Sequence, residues 1–139
     1  MCDSVCASCR FLRGDRVRGY RWLARLLESD EEFTVRFALV CLCDHFARER
    51  GWTQRVLEAA RAANCGEYNY ARMALAWLLA ETASTDAGAV MTFLRGDVDP
   101  FVRARAVRKI KESCKISASD KSAFDDVLRD MSDKGEDTH

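Results

Sequence analysis

The sequence predicts an all-α protein, an α-α superhelix or solenoid of about four helix pairs. The first observation is a phrase that occurs three times, centred on Ala38, Ala74 and Ala106, at spacings of 36 and 32 residues. Self-similarity at such a period is typical of stacked helical repeats. The second observation is composition, because one Pro and seven Gly in 139 residues leave little to interrupt helices. We expect a single helical-repeat domain over residues 1–131 and an acidic, disordered tail over residues 132–139.

Capping residues and helix-ending residues divide the chain into eight predicted helices. Asp3 or Ser4 can cap the first helix, and Gly14-Asp15 ends it and caps the second. Ser29-Asp30 precedes the third helix, whose first turn carries glutamates where the helix dipole favours them. We expect Gly51 to close this third helix.

The next three helices are marked in the same way. The fourth begins at Thr53 and stops at Asn64-Cys65-Gly66, a sequence typical of a helix C-terminus. The fifth runs from residue 67 to about residue 82. Ser84-Thr85-Asp86 then starts a short sixth helix, which Gly96 ends.

The last two helices begin with clear capping patterns. Asp99-Pro100 places a capping residue before a proline at the first helical position, and Ser117 with Asp120 has the spacing of a capping box. The third and fifth helices are apolar on nearly every side, so we expect them at the centre of the stack. The seventh helix instead has an apolar stripe on one face and basic residues over the other, namely Arg105, Arg108, Lys109, Lys111 and Lys115.

The net charge of zero conceals two basic segments. Residues 10–25 contain six arginines and one acid, and residues 103–121 contain seven lysines and arginines and two acids. No stretch approaches the roughly 18 apolar residues needed to span a bilayer, and the N-terminus lacks a signal-peptide pattern. We therefore expect a cytoplasmic protein with no membrane partner.

Seven cysteines, an odd number, favour reduced thiols over a disulfide framework in such a protein. Cys2, Cys6 and Cys9 share one face of the first predicted helix, and the last two have C-x-x-C spacing. A zinc site usually needs a second pair of ligands, and no such pair occurs at a fixed spacing. We expect small core residues here, and neither a metal nor a cofactor.

Four strings, in the right order and at the right spacing, carry a family resemblance. They are Cys2-Asp-Ser-Val-Cys6, Phe33-Thr-Val-Arg-Phe-Ala-Leu-Val40, Tyr68-Asn-Tyr-Ala-Arg-Met-Ala-Leu-Ala-Trp77 and Ala106-Val-Arg-Lys-Ile-Lys-Glu-Ser113, the last followed by Ser117-x-x-Asp120-Lys121. On these strings the chain resembles the DNA alkylation repair family of HEAT-like proteins, the AlkD-like DNA glycosylases, over almost its whole length. The resemblance implies a curved HEAT-like solenoid that cups duplex DNA and excises alkylated purines such as 3-methyladenine and 7-methylguanine.

The resemblance also implies roles for individual residues. Asp3 matches the aspartate that stabilises the developing sugar cation and positions water, and Trp77 matches the second of two tryptophans that contact the deoxyribose. The first tryptophan would lie four residues before Asp3, upstream of Met1, so we expect the chain to correspond to the C-terminal portion of the family's DNA cradle. The family tends to have W-x-x-R-E where this chain has Trp77-Leu-Leu-Ala80-Glu81, so one arginine contact to phosphate is missing. Without the family, Asp3 is a helix N-cap and Trp77 is a core residue.

The basic residues of the repeats are the candidate DNA-binding residues. Arg36 and Arg72 recur at one position of two repeats, which suits successive phosphates, but salt bridges to acids such as Glu32 or Glu67 would also explain them. We assign Tyr70 to the same surface. The seventh predicted helix adds four basic residues that bind phosphate or simply form a solvated face: Arg105, Arg108, Lys109 and Lys111.

Two functional hypotheses result. The first is a DNA alkylation repair protein that binds alkylated duplex DNA and, if it is an enzyme, hydrolyses the N-glycosidic bond of alkylated purines as a DNA glycosylase. The alternative is a non-catalytic helical-repeat module, N-terminally shortened, that binds nucleic acid or protein. In either case the first helix exposes apolar and thiol side chains where an earlier repeat would stack, which predicts self-association through that helix.

Overall fold

The computed structural model describes residues 14–66 and 68–137, with side chains as far as residue 130. These ranges form seven α-helices and one 3₁₀ helix and contain no strand, which confirms the all-α prediction. The α-helices are α1 (Arg16–Leu26), α2 (Glu32–His45), α3 (Thr53–Ala62), α4 (Asn69–Thr85), α5 (Ala87–Leu94), α6 (Pro100–Glu112) and α7 (Ala118–Asp137), and the 3₁₀ helix is Arg50–Trp52. They correspond to the second to eighth predicted helices, whereas the first lies outside the described residues. No helix in these ranges is both long and apolar enough to cross a bilayer.

Side chains cap four of these helices as the sequence predicts. The Oδ1 atoms of Asp15, Asp86 and Asp99 accept hydrogen bonds from backbone N–H groups in the first turns of α1, α5 and α6, at 3.1, 3.1 and 2.8 Å. At α7, Ser117 Oγ accepts from the N–H of Asp120 at 3.2 Å. Each such cap stabilises its helix by about 1 kcal/mol. The caps therefore fix four helix starts, including that of α5, which only Asp86 separates from α4.

The end of α2 differs from the prediction. The helix ends at His45, whereas the sequence placed its end at Gly51. The next residue, Phe46, turns into the core, and its ring lies 5.0 Å from the ring of Trp52 and 6.4 Å from the ring of Tyr20, measured between centroids. Burying this aromatic cluster stabilises the fold more than one further turn of exposed helix would.

The helices pack in two rows. The first row consists of α2, α4 and α6, with α4 in contact with both of the others. The second row consists of α1, α3, α5 and α7: α5 contacts α3 and α7, and the Tyr20 hydroxyl in α1 donates to the carbonyl of Arg55 in α3 at 2.7 Å. Because α4 contacts α2, α3, α5 and α6, its apolar residues are covered on several sides, as the sequence predicts for a central helix.

Hydrogen bonds to backbone carbonyls join the turns of successive helix pairs. The N–H of Asn64, after α3, donates to the carbonyl of Leu27, after α1, at 2.9 Å, and its side-chain Nδ2 donates to the carbonyl of Ser29 at 3.2 Å. Likewise Thr85 Oγ1, at the end of α4, donates to the carbonyl of Ala47, after α2, at 3.0 Å. These bonds thus fasten the pair of α1 and α2 to the pair of α3 and α4, in addition to the helix-to-helix packing.

A buried arginine closes the turn between α5 and α6. Arg103 is 7% exposed, and its Nε and Nη2 donate to the carbonyls of Leu94 and Gly96 at 2.8 and 3.0 Å. These bonds satisfy carbonyls at the end of α5 that have no partner within the helix. Burial lowers the pKa of Arg103, while the nearby Asp97 and Asp99 act in the opposite direction. The guanidinium nevertheless stays charged at neutral pH.

Candidate nucleic-acid interface

The helices of the first row run in the same direction with their starts side by side. Arg36 Nη1 in α2 donates to the carbonyl of Tyr70 at the start of α4 at 3.4 Å, and the Tyr70 N–H donates to Glu32 Oε1 at 3.0 Å. Arg72 in α4 pairs in turn with Asp99, the N-cap of α6, at 3.4 Å between Nη1 and Oδ2. Equivalent positions of the repeat therefore lie next to each other. We call one side of this row the row face and define it by Phe33, Tyr70, Trp77, Phe101 and Arg105.

Aromatic rings and arginines alternate along the start of the row face. The rings of Phe33 and Tyr70 stack with centroids 6.4 Å apart, although the two residues are 71% and 62% exposed. The guanidinium carbon atoms of Arg72 and Arg105 lie 4.2 and 5.3 Å from the centroid of the Phe101 ring. Exposed rings beside guanidinium groups are suited to ligands with both flat and anionic parts. The sequence prediction included Tyr70 but missed the two phenylalanines, which share one repeat position, five residues before Ala38 and Ala106.

The two arginines at equivalent repeat positions have different surroundings. Both arginines are half-buried, with the Arg72 side chain 17% exposed, but Arg72 also donates from Nη2 to Asn69 Oδ1 at 2.8 Å. The sequence left open that Arg72 forms a salt bridge with an acid. It does so, and the acid is Asp99. Arg72 is therefore anchored to the start of the next helix.

Trp77 lies half-buried in the middle of the row face. On α4, four of the residues that keep some exposure have the spacing of one helical face, namely Tyr70, Met73, Trp77 and Glu81. Trp77 packs against the core along part of its ring system. The residues at the same repeat position are the fully buried Cys41 on α2 and the half-buried Lys109 on α6. At the repeat position of Trp77, the row face is therefore accessible on α4 and α6 and covered on α2.

The basic residues of α6 divide into two groups. Arg105 lies over Phe101, on the row face. Arg108 and Lys111 instead line a hollow between α6 and α7, where Lys111 Nζ lies 3.1 Å from Asp125 Oδ1. Arg108 also pairs with Glu112 at 3.6 Å within its own helix. Half of the predicted basic set thus lies beside the last helix.

An ion-pair cluster lies at the other end of the first row, where α2, α4 and α6 finish. Arg48 Nε and Lys115 Nζ lie 3.5 and 3.8 Å from the same oxygen, Glu81 Oε2. Burial raises the pKa of the nearby Cys43 thiol strongly, and the charges of Glu81 and Asp44 raise it further. The sequence prediction missed this cluster, although Glu81 lies one helical turn after Trp77.

The buried thiols of Cys43 and Cys65 are poor candidates for chemistry. The thiol of Cys43 stays protonated at neutral pH, and burial, with a smaller contribution from Asp99, raises the pKa of Cys65 to about 11. Across residues 14–66 and 68–130, no three His, Cys, Asp or Glu side chains are grouped to hold a metal ion. The predicted catalytic Asp3 and the cysteines Cys2, Cys6 and Cys9 lie outside the described residues.

Comparison with known proteins yields one finding. The family model described as DNA alkylation repair enzyme matches residues 1–110, a span that includes Asp3, Trp77 and the row face. No curated protein and no solved structure gives a significant match.

Proposed function

Because the chain belongs to the DNA alkylation repair enzyme family, we propose that it acts in alkylation repair by binding duplex DNA along the row face and hydrolysing the N-glycosidic bond of alkylated purines. The observation that carries this proposal is the position of half-buried Trp77 in the middle of the row face. Aromatic residues and arginines lie on the same row, nearer the helix starts. DNA presents phosphates and flat, partly apolar sugars and bases together, which matches this combination.

The basic residues provide the proposed affinity for the backbone. Arg36, Arg72 and Arg105 come from three adjacent helices, so they can follow one strand across the row. Lys109 extends this set along α6. Arg108 and Lys111, beside α7, would contact the flanking duplex. Each phosphate contact releases condensed counterions, so binding should weaken steeply with salt.

The proposed reaction needs little from the protein because the leaving group is already activated. An N-alkylated purine carries a positive charge, and it leaves with the electron pair of the C1′–N bond and becomes neutral. Water forms the new bond to C1′ and loses a proton to the carboxylate or to solvent. The Asp3 carboxylate would stabilise the cationic sugar electrostatically, and Trp77 would pack on the deoxyribose.

A non-catalytic helical-repeat module that binds nucleic acid or protein is the second candidate. It is favoured by Ala80, because the resemblance leads us to expect an arginine there and one phosphate contact of the enzymes is therefore missing. Ala80 is buried and contains no donor. A protein with the row face but without hydrolysis would still recognise duplex DNA.

One experiment separates the two candidates. The protein is incubated with methylated duplex DNA, and released 3-methyladenine and 7-methylguanine are measured by chromatography. The glycosylase proposal predicts release that Asp3→Asn abolishes and that Asp126→Asn, an exposed carboxylate on α7, leaves unchanged. Binding of unmodified duplex is followed in parallel by fluorescence anisotropy at several salt concentrations. Binding without release supports the module, and absence of both refutes the proposed DNA function.

A further inference from the structure

Three charged side chains meet where the three helices of the first row end. Arg48 follows α2, Glu81 belongs to the last turns of α4, and Lys115 follows α6. Both cations approach the same Glu81 oxygen, Oε2, at 3.5 and 3.8 Å. Their nitrogen atoms are therefore close enough for one phosphate group to contact both.

The carboxylate is the shielded member of the group, and the cations are the accessible ones. The side chain of Glu81 is 20% exposed, against 66% for Arg48 and 54% for Lys115. Glu81 Oε2 is buried and has no hydrogen-bond partner within the described part of the chain, and Arg48 Nε and Lys115 Nζ lie 3.5 and 3.8 Å from it. The carboxylate therefore attracts the two cations without using up their N–H donors.

The guanidinium of Arg48 faces Glu81 through its Nε atom. Its two Nη groups are therefore left for another ligand. These two groups form the fork that binds phosphate oxygens in pairs. The three side chains together carry a charge of +1, with the positive charges on the exposed side. Such an arrangement resembles an anion site whose cations are positioned before the ligand arrives.

The location of this group connects it with the row face. Glu81 lies four residues after Trp77, and these residues therefore share one face of α4 about one turn apart. We propose that Arg48 and Lys115, positioned by Glu81, bind a backbone phosphate of duplex DNA at the far end of the row face from Arg36 and Arg72. This inference rests on the proposed DNA binding and extends the interface along the whole length of the first row.

The test is the salt dependence of duplex binding by the full chain, measured by fluorescence anisotropy with an unmodified duplex. Arg48→Gln and Lys115→Gln should each lower the affinity, and the double variant should reduce the slope of log affinity against log salt by about 1, because the two cations share one phosphate. The matched control is Arg95→Gln, because Arg95 is similarly exposed and pairs with Asp130 at 3.5 Å but lies at the end of α5 in the second row. Its slope should equal that of the wild type.

A second variant distinguishes phosphate binding from a merely structural ion pair. Arg48→Lys keeps the charge but lacks the fork, so it should retain most of the salt slope and still lose affinity several-fold. Circular dichroism and urea unfolding check that every variant is folded. Control-like slopes for the double variant, alongside wild-type binding, would overturn this inference and leave the proposed function standing. A wild-type protein that does not bind duplex DNA would overturn both.

Discussion

Asp99 is the residue whose replacement best tests how the first row is held together. Its Oδ1 caps α6 through the N–H of Phe101 at 2.8 Å, and its Oδ2 pairs with Arg72 of α4 at 3.4 Å. The Asp99 side chain thus joins the start of α6 to the start of α4. Two replacements separate these roles, because Asp99→Asn keeps an oxygen that can cap while it removes the charge, and Asp99→Ala removes both.

The expected losses follow from the contacts. The capping bond stabilises the protein by about 1 kcal/mol. A partly exposed ion pair adds about 0.2–1 kcal/mol, and a carboxylate at a helix start adds about 0.3–1 kcal/mol through the helix dipole. We therefore expect Asp99→Asn to lower the free energy of unfolding by about 0.5–2 kcal/mol and Asp99→Ala by about 1.5–3 kcal/mol.

The assay is urea unfolding followed by circular dichroism, with the free energy extrapolated to water. A double-mutant cycle with Arg72→Gln isolates the ion pair. If the two side chains interact, the double variant should lose less free energy of unfolding than the two single variants lose together. Equal destabilisation by Asp99→Asn and Asp99→Ala would show that the cap contributes nothing. A cycle without coupling would show that Arg72 is not anchored by Asp99.

Four further predictions concern other parts of the fold. Arg103→Met should destabilise the protein by about 2–4 kcal/mol in urea unfolding, because two carbonyls lose their donors, and a loss below about 0.5 kcal/mol would contradict this role. Gly66 has a φ of 51° and open space around its Cα, so Gly66→Ala should cost about 1 kcal/mol of backbone strain alone, and an unchanged urea midpoint would be incompatible with that conformation. At pH 8, iodoacetamide should alkylate exposed Cys114 far faster than buried Cys65, whose pKa is about 11, as measured by peptide mass spectrometry; equal rates would refute the assigned burial. Because the folded pKa of Cys65 is the higher one, its contribution to stability should be present below about pH 8.5 and be lost as pH rises towards 11.

Local signals in the sequence were sufficient to predict most of the helix starts. The cap at Asp15, the Asp99-Pro100 pair and the Ser117 to Asp120 bond depend on residues within one turn of each other, so their chemistry is visible in the sequence. The end of α2 depends instead on the packing of Phe46 against Trp52, two residues in different elements. A glycine was the only local signal there, and tertiary packing outweighed it.

The candidate site, too, was predictable only where the signal lies in the sequence itself and not in tertiary packing. Repeat positions singled out Arg36 and Arg72, because a regular stack places equivalent residues side by side, and the family resemblance singled out Trp77. The partner of Arg72 could not be predicted in this way, since Asp99 lies in the turn before α6 and meets Arg72 only once α4 and α6 pack together. Glu81 was equally hidden, because its two partners come from turns that follow other helices.

The hydrogen bonds of Asn64 have a consequence for how the stack opens. In a chain of stacked repeats, the free energy of opening one interface is separate from that of unfolding one repeat, as in a one-dimensional lattice with nearest-neighbour coupling. The Asn64 amide proton is bonded to the carbonyl of Leu27, across a junction between consecutive helix pairs. Its exchange with deuterium would therefore follow separation of α1 from α3, whereas amides within α3 would follow melting of the helix itself. A faster rate at Asn64 than in the middle of α3 would show that this junction opens before α3 melts.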